Sequence, residues 1–268
     1  MTLKRRTISK RVKHNKTLKR NVQDKRNVQD KRSEYINRKN KKAHNTALIT
    51  AIYYKHPDTA NMLIDENANI HSRNRKGGSA LSFAAHQGQT GIAKRLIRMK
   101  ADINVISKPF DQTPLILATI NGHTEIVKAL LKEKADINIQ NSYKNTALIL
   151  ALKLNRVDIA NILLNYNPNI HLRNIYGETA IIYAALTGQT AITKRLIRMK
   201  ADINIQSKNG NTPLTFASEN GHTEVVKALL DEKADIHIPN KYGDTALIFA
   251  SANGHTDIVK LLTDIDAQ

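Results

Sequence analysis

A three-residue motif recurs at a nearly constant spacing through most of the chain. It begins with Thr or Ser, continues with Ala or Pro, and ends with Leu or Ile. Its seven copies start at Thr46, Ser79, Thr113, Thr146, Thr179, Thr212 and Thr245. Successive copies are 33 residues apart, except that 34 residues separate Ser79 from Thr113. Such a period is typical of a stacked repeat array and excludes a globule with one central core.

Each repeat is predicted to form two short helices. In the third copy, Thr113 is a suitable N-cap, Pro114 fits the first helical position, and Gly122 suits the end of the helix. The next segment has an apolar face of helical period, formed by Ile126, Val127, Leu130 and Leu131. Because helices of about nine residues do not persist alone in water, stacking between helix pairs has to stabilise them.

These motifs resemble the ankyrin repeat family. The family pattern is clearest in Gly210–Ala217, Gly221–Leu230 and Ala234–Ile236, and seven tandem matches extend from about residue 45 to residue 262. The resemblance implies an all-α repeat solenoid of stacked helix pairs with β-hairpin fingers, and protein binding without catalysis. We therefore predict a basic, disordered tail over 1–44 and a repeat domain over 45–268. Its repeats are predicted to start near 45, 78, 112, 145, 178, 211 and 244.

The chain departs from the family pattern at two positions of the repeat. The His that usually follows the Thr-Pro-Leu triplet is replaced, mostly by Ile, at Ile49, Ser82, Ile116, Ile149, Ile182, Thr215 and Ile248. The Gly that usually precedes Ala-Asp is replaced by Asn67, Lys100, Lys134, Asn167, Lys200 and Lys233. A Lys that keeps the positive φ of this Gly carries a steric cost, so we expect lower stability than in a consensus array.

A longer period is superimposed on the repeat. Lys94–Asn104 recurs without change as Lys194–Asn204, at an offset of 100 residues that corresponds to three repeats. This indicates that a three-repeat block was duplicated. Either the copy is only a record of the duplication, or both copies bind equivalent groups on an elongated or dimeric partner.

The finger tips and the ends of the first helices are the predicted partner-binding surface. Phe110, Tyr143, Tyr176 and Tyr242 form an aromatic ladder along the tips, interrupted at Asn209, in a chain with only 4% aromatic residues. Exposed Tyr is typical of interfaces, although each ring could instead pack on the next finger. Ile120, Leu154 and Leu186 are expected to form an apolar strip beside the ladder. The predicted contact set is Lys76, Phe110, Ile120, Tyr143, Leu154, Tyr176, Leu186, Lys208 and Tyr242.

Nothing in the sequence predicts catalysis, a cofactor or a metal site. The chain has no Cys, no Gly-rich phosphate loop before a helix and no His-x-x-x-His pair. His123, His222 and His255 recur because the repeat recurs, and each is expected to face a different neighbour. We therefore predict a non-enzymatic protein with no catalytic residue, no cofactor and no metal ligand.

The first 44 residues differ in composition from the array. They contain 17 of the 42 Lys and Arg residues and three acidic residues, and so carry +14 of the net charge of +19. Three interpretations remain open: a solubilising tail, a nuclear localisation signal, or an arm that binds the backbone of nucleic acid. In the last case the predicted contacts are Lys4, Arg5, Arg6, Lys10, Arg11 and Lys13.

The favoured function is a monomeric protein–protein interaction scaffold that binds a protein through finger tips and concave face. The alternative is a nucleic-acid-associated or nuclear protein whose basic tail supplies polyanion binding. The sequence contains no apolar run long enough for a membrane span, and no apolar segment follows the basic N-terminus as in a secretory signal. We expect an intracellular location, cytoplasmic or nuclear, and leave export into a host cell open.

Overall fold

Seven pairs of helices make up the part of the chain that the structure describes. The computed structural model describes residues 34, 37, 38, 45–109 and 111–267. The first helices of the pairs are α1 Ala47–Tyr53, α3 Ala80–Gln87, α5 Pro114–Ile120, α7 Ala147–Lys153, α9 Ala180–Leu186, α11 Pro213–Glu219 and α13 Ala246–Ala252. The second helices are α2 Pro57–Asp65, α4 Thr90–Arg98, α6 Thr124–Lys132, α8 Val157–Leu164, α10 Thr190–Arg198, α12 Thr223–Leu230 and α14 Thr256–Asp266.

The first residue of the recurring motif caps most of the first helices. The hydroxyl of Thr113 accepts a hydrogen bond from the amide of Ile116 at 3.2 Å, and the same bond forms at Thr46, Ser79, Thr146 and Thr212. Such a bond satisfies one of the free amides at a helix start. Thr179 and Thr245 make no such side-chain bond, and the Thr179 hydroxyl is buried without a hydrogen-bond partner.

The last residue of the motif supplies the core between repeats. Its side chain is at most 2% exposed at six of the seven copies: Leu48, Leu81, Leu115, Leu148, Ile181 and Leu214. The predicted apolar face of α6 is likewise buried. Each first helix packs on the next first helix, and the second helices pack on one another in the same way from α2 to α8 and from α10 to α14. This confirms the predicted all-α repeat solenoid, in which stacking stabilises short helices.

The substitutions of the family His mainly extend this core. Ile49, Ile116, Ile149 and Ile182 are at most 1% exposed, so apolar contact replaces the hydrogen bonds that the His would make. Ser82 keeps a polar contact between repeats, because its Oγ lies 3.0 Å from the Oγ of Ser107.

The fingers differ from the prediction, because none of the described residues forms a β-strand. Each finger is a tight turn between two repeats: residues 74–78, 107–112, 141–145, 174–178, 207–211 and 240–244, the first to sixth fingers. Among these residues, the strand-like pairing consists of two isolated antiparallel bridges, Arg73–Ser79 and Ser107–Gln112. Five turns are closed by a bond from an amide to the carbonyl four residues later, and no strand ladder continues from this bond into the described residues on either side.

The second finger contains the extra residue of the 34-residue step. Its closing bonds join Ser107 and Gln112, five residues apart, at 3.0 and 2.9 Å, whereas the other turns close over four. Among the described residues, four pairs of neighbouring fingers are each joined by one backbone bond, as from Ile175 N–H to Tyr143 O at 3.0 Å and from Lys208 N–H to Tyr176 O at 2.8 Å.

The residues that replace the family Gly keep its left-handed backbone. The φ angles at this position run from +48° at Asn167 to +66° at Lys200, as the steric argument anticipated.

The Gly at the end of a first helix has a second role, because the next repeat packs against it. A Cβ on Gly88 would lie 2.5 Å from the His123 ring, and a Cβ on Gly221 would lie 2.7 Å from the His255 ring.

None of the described helices has the length and apolar character needed to cross a bilayer.

Candidate partner-binding surface

Two grooves lie between the fingers and the first helices. The first groove, of about 480 Å³, is lined by residues of α1, α3 and α5 and of the first two fingers. The second groove, of about 360 Å³, is lined by residues of α5 and α7 and of the third and fourth fingers. Gln112 lines both, so the grooves are neighbours on one surface.

The second groove brings together four of the nine predicted contact residues. Ile120 and Leu154 come from the ends of α5 and α7, and Tyr143 and Tyr176 come from successive fingers. Leu154, Tyr143 and Tyr176 are 42%, 45% and 53% exposed, so the groove presents apolar side chains to solvent. Tyr143 and Tyr176, which are 33 apart in the sequence, therefore line the same groove, because stacking places equivalent positions side by side.

The other predicted contact residues are distributed over the same face of the array. Lys76 is exposed and lines the first groove. Leu186 is partly buried against the core, Lys208 is exposed on the fifth finger, and Tyr242 is 82% exposed on the sixth. Phe110 lies outside the described residues, as do the predicted tail contacts Lys4, Arg5, Arg6, Lys10, Arg11 and Lys13.

Asparagine side chains hold the finger-tip tyrosines in place. The Oδ1 atom of Asn174 accepts hydrogen bonds from Tyr176 N–H at 2.9 Å and from Glu178 N–H at 3.0 Å. Asn141 and Asn240 bond the corresponding amides of the third and sixth fingers, including those of Tyr143 and Tyr242. Sequence reasoning missed these residues, although an Asn two positions before each Tyr is a readable signal of such a turn.

A row of large side chains on the first helices was also missed. These residues lie four positions after the start of the motif, and the row consists of Phe83, Leu117, Leu150, Tyr183, Phe216 and Phe249. Phe83 and Leu117 line the first groove, and Leu150 lines the second. Phe83 packs edge-to-face against Tyr53, with ring centres 5.7 Å apart. Their constant position, four residues after the start of the motif, was the sequence signal that could have identified them.

A buried polar cluster joins the fourth finger to α9. The Tyr183 hydroxyl donates to Glu178 Oε2 at 2.6 Å, and Asn174 Nδ2 donates to the same carboxylate at 3.0 Å. Burial, followed by the hydrogen bond to Glu178, raises the pKa of Tyr183 above its ordinary value. The Nζ atom of Lys153 lies 5.9 Å from the centre of the Tyr183 ring, a cation–π contact at the edge of the second groove.

The recurring histidines have a structural role. Nε2 of His123, His222 and His255 donates to a backbone carbonyl of the preceding repeat, at 3.2, 3.0 and 3.1 Å. In the duplicated positions Gln89 and Gln189, the side-chain amide makes the equivalent bond to Ile52 O and Leu152 O. Within the described ranges, no three potential ligand side chains (His, Cys, Asp or Glu) come close enough together to hold a metal ion.

The basic residues of the duplicated segment lie on second helices or just after them, and line neither groove. In the first copy, Lys94 and Lys128 both bond Glu125, at 3.0 and 2.9 Å, and these hydrogen bonds, that from Lys128 first, lower the pKa of the carboxyl group. Lys100 bonds Glu133 at 2.9 Å. These pairs are exposed, so each contributes little to stability.

Comparison with known proteins agrees with this architecture. The model of a family described as ankyrin repeats (3 copies) matches residues 11–107, 81–174 and 181–268. Together these stretches cover most of the chain. No match to the chain is found among curated proteins.

Proposed function

Because the chain belongs to the ankyrin repeat family, whose members generally bind other proteins, we propose that it is a non-enzymatic scaffold that binds a partner protein through its finger-side surface. The observation that carries this proposal is the second groove. There the exposed side chains of Leu154, Tyr143 and Tyr176 converge on one concave patch. Such apolar and aromatic convergence is typical of the centre of a protein interface.

The proposal is tested by affinity capture from cell lysate with the full-length chain as bait, followed by mass spectrometry. The bait carries either Tyr176→Ala or the control Tyr166→Ala. Both tyrosines are about half exposed, at 53% and 46%, but Tyr166 follows the second helix α8 and does not line the groove. We expect a partner that resists added salt and nuclease to be retained by the control and lost by Tyr176→Ala.

Two results would contradict the proposal. Equal retention by both variants would show that the groove is not the contact surface. Loss of every partner on nuclease treatment or added salt would indicate backbone-driven binding of nucleic acid instead.

A further inference from the structure

Resting on the proposed protein-binding role, we infer that the two grooves hold one extended segment of the partner. Carboxylates of this segment occupy the first groove, and a large apolar side chain occupies the second. The inference names the chemistry of the partner and the groove that takes each of its groups, and it depends on the charges, the lining and the continuity of the two grooves.

The charge of the grooves has one sign. Among the described residues that line them, none is Asp or Glu, while the first groove contains Lys76, His86 and Lys108 and the second contains Lys153. Lys108 is partly compensated by its ion pair with Asp111, but Lys76 is exposed and forms no ion pair with a described residue. Fixed positive charge in a concave surface attracts carboxylates and disfavours basic segments.

The walls of the second groove suit an apolar side chain. Ile120, Leu150 and Leu154, at or near the first helices, give it an aliphatic lining, and Tyr143 and Tyr176 of the fingers add two aromatic rings. A large apolar residue inserted there would remove exposed apolar surface of both molecules from water. The aliphatic part of this lining suits an apolar peptide side chain and gives a base no flat face to stack on, so a peptide is the favoured occupant; stacking of bases on the two Tyr rings is the alternative that competition with DNA tests.

The grooves are close enough for one short segment. Gln112 lines both, and the first helices α3, α5 and α7 follow one another in the stack. Packed helices lie about 9 Å apart, so two steps span about 18 Å, which an extended chain covers in about six residues. The carboxylates and the apolar anchor are therefore expected about six residues apart.

The internal duplication shows that the finger-side residues of the two copies differ in chemistry. Three first-groove residues, Tyr53, Lys76 and His86, have Lys153, Tyr176 and Leu186 as their counterparts 100 residues later. On this face the second copy therefore has a basic residue in place of an aromatic one, an aromatic residue in place of a basic one, and an aliphatic residue in place of a His. The segment Lys94–Asn104, which begins in the second helix α4, is identical in both copies. The second copy does not present the same chemistry as the first, so a partner with two identical contact groups does not fit.

The test is selection of random peptides displayed on phage against the full-length chain. We expect enriched peptides to share at least two carboxylates and one Leu, Ile or Phe about six residues away. For a synthetic peptide of this kind, the Lys76→Glu/Lys153→Glu double variant should bind about tenfold more weakly or worse. Arg98→Glu/Arg198→Glu is the control, because it changes the net charge equally and both arginines are exposed, on α4 and α10, outside both grooves. The basic N-terminal segment is present in every variant, so differences report the grooves.

Three outcomes would overturn the inference. The first is enrichment of neutral or basic peptides, or of none. The second is equal weakening by the groove and control variants. The third is a single-stranded DNA oligonucleotide that binds the same lysines and competes with the selected peptide, which would make the face a polyanion surface. A captured partner that depends on Tyr176 but whose binding segment lacks carboxylates would overturn this inference alone and leave the proposed function standing.

Discussion

Replacing three left-handed lysines by glycine is expected to stabilise the array. Lys134, Lys200 and Lys233 have φ angles of +64°, +66° and +60°, and none forms an ion pair with another described residue. A residue with a Cβ in this region costs about 1–2 kcal/mol, whereas Gly adopts it freely. Gly also increases the entropy of the unfolded chain, which offsets about 0.4–1 kcal/mol of that gain.

The net gain is therefore about 0.7 kcal/mol for each site, or about 2 kcal/mol for the triple variant if the sites add. For a domain of this size, that corresponds to a rise of about 4–8 °C in the melting temperature. Urea unfolding followed by far-UV circular dichroism should show a higher midpoint with an unchanged slope. Lys100 is left unchanged because its bond to Glu133 would also be lost.

The matched control is Ala at the same three positions. Ala removes the same charges but keeps the Cβ, so it should give no comparable gain. Asn167→Gly is a second control, because Asn tolerates the left-handed region better than Lys and the gain should be smaller. Equal stabilisation by Ala and Gly would refute the steric argument and point to charge repulsion as the cause.

Three further outcomes are expected. In urea unfolding, Gly221→Ala should destabilise the array by at least about 1 kcal/mol more than Gly254→Ala. Both glycines have a φ of +73°, but only at Gly221 would an added Cβ clash, with the His255 ring. Equal losses of stability would contradict this packing. Asn141→Ala should cost about 1–3 kcal/mol and increase hydrogen exchange at the two amides its side chain bonds, whereas Asn141→Asp, which keeps the accepting oxygen, should retain protection. Because the pKa of Tyr183 is raised on folding, the folded state keeps a proton that the unfolded chain loses above about pH 10, so stability should fall as pH rises through that value. Tyr183→Phe should lack the part of this loss of stability that comes from Tyr183. The measurement is the urea midpoint at successive pH values, and an equal decrease in both proteins would show that the loss does not come from Tyr183.

The helix pairs were predictable because their causes are local. The capping Thr113, the buried Leu115 and the apolar face of α6 each follow from spacing within one repeat. The missing hairpins show the limit of the resemblance. Beside the finger turns the described residues form only two isolated bridges, although turns of this length also occur in hairpins with paired strands. Whether the flanking residues pair depends on backbone angles that the residue types permit but do not specify.

The grooves were only partly predictable, because each is built from several repeats. Tyr143 and Tyr176 could be placed on neighbouring tips by their spacing, but the depth of the groove depends on Leu150 and Lys153 of α7 and on Gln112 of the second finger. The asparagines that hold the finger tips could have been recognised from the sequence, since Asn141 and Asn174 each lie two residues before a Tyr. How far each side chain is exposed depends on the stacking geometry, which one repeat does not contain.

The longer second finger shows where this molecule accommodates changes in length. One additional residue between Ser107 and Gln112 is absorbed within the turn, and α3 still packs against α5 as the other first helices do. Insertions at a finger are thus uncoupled from the register of the helices on either side. A foreign loop grafted into this turn would be displayed at the edge of the grooves while the stack kept its spacing, so the array can acquire new contacts without a new core.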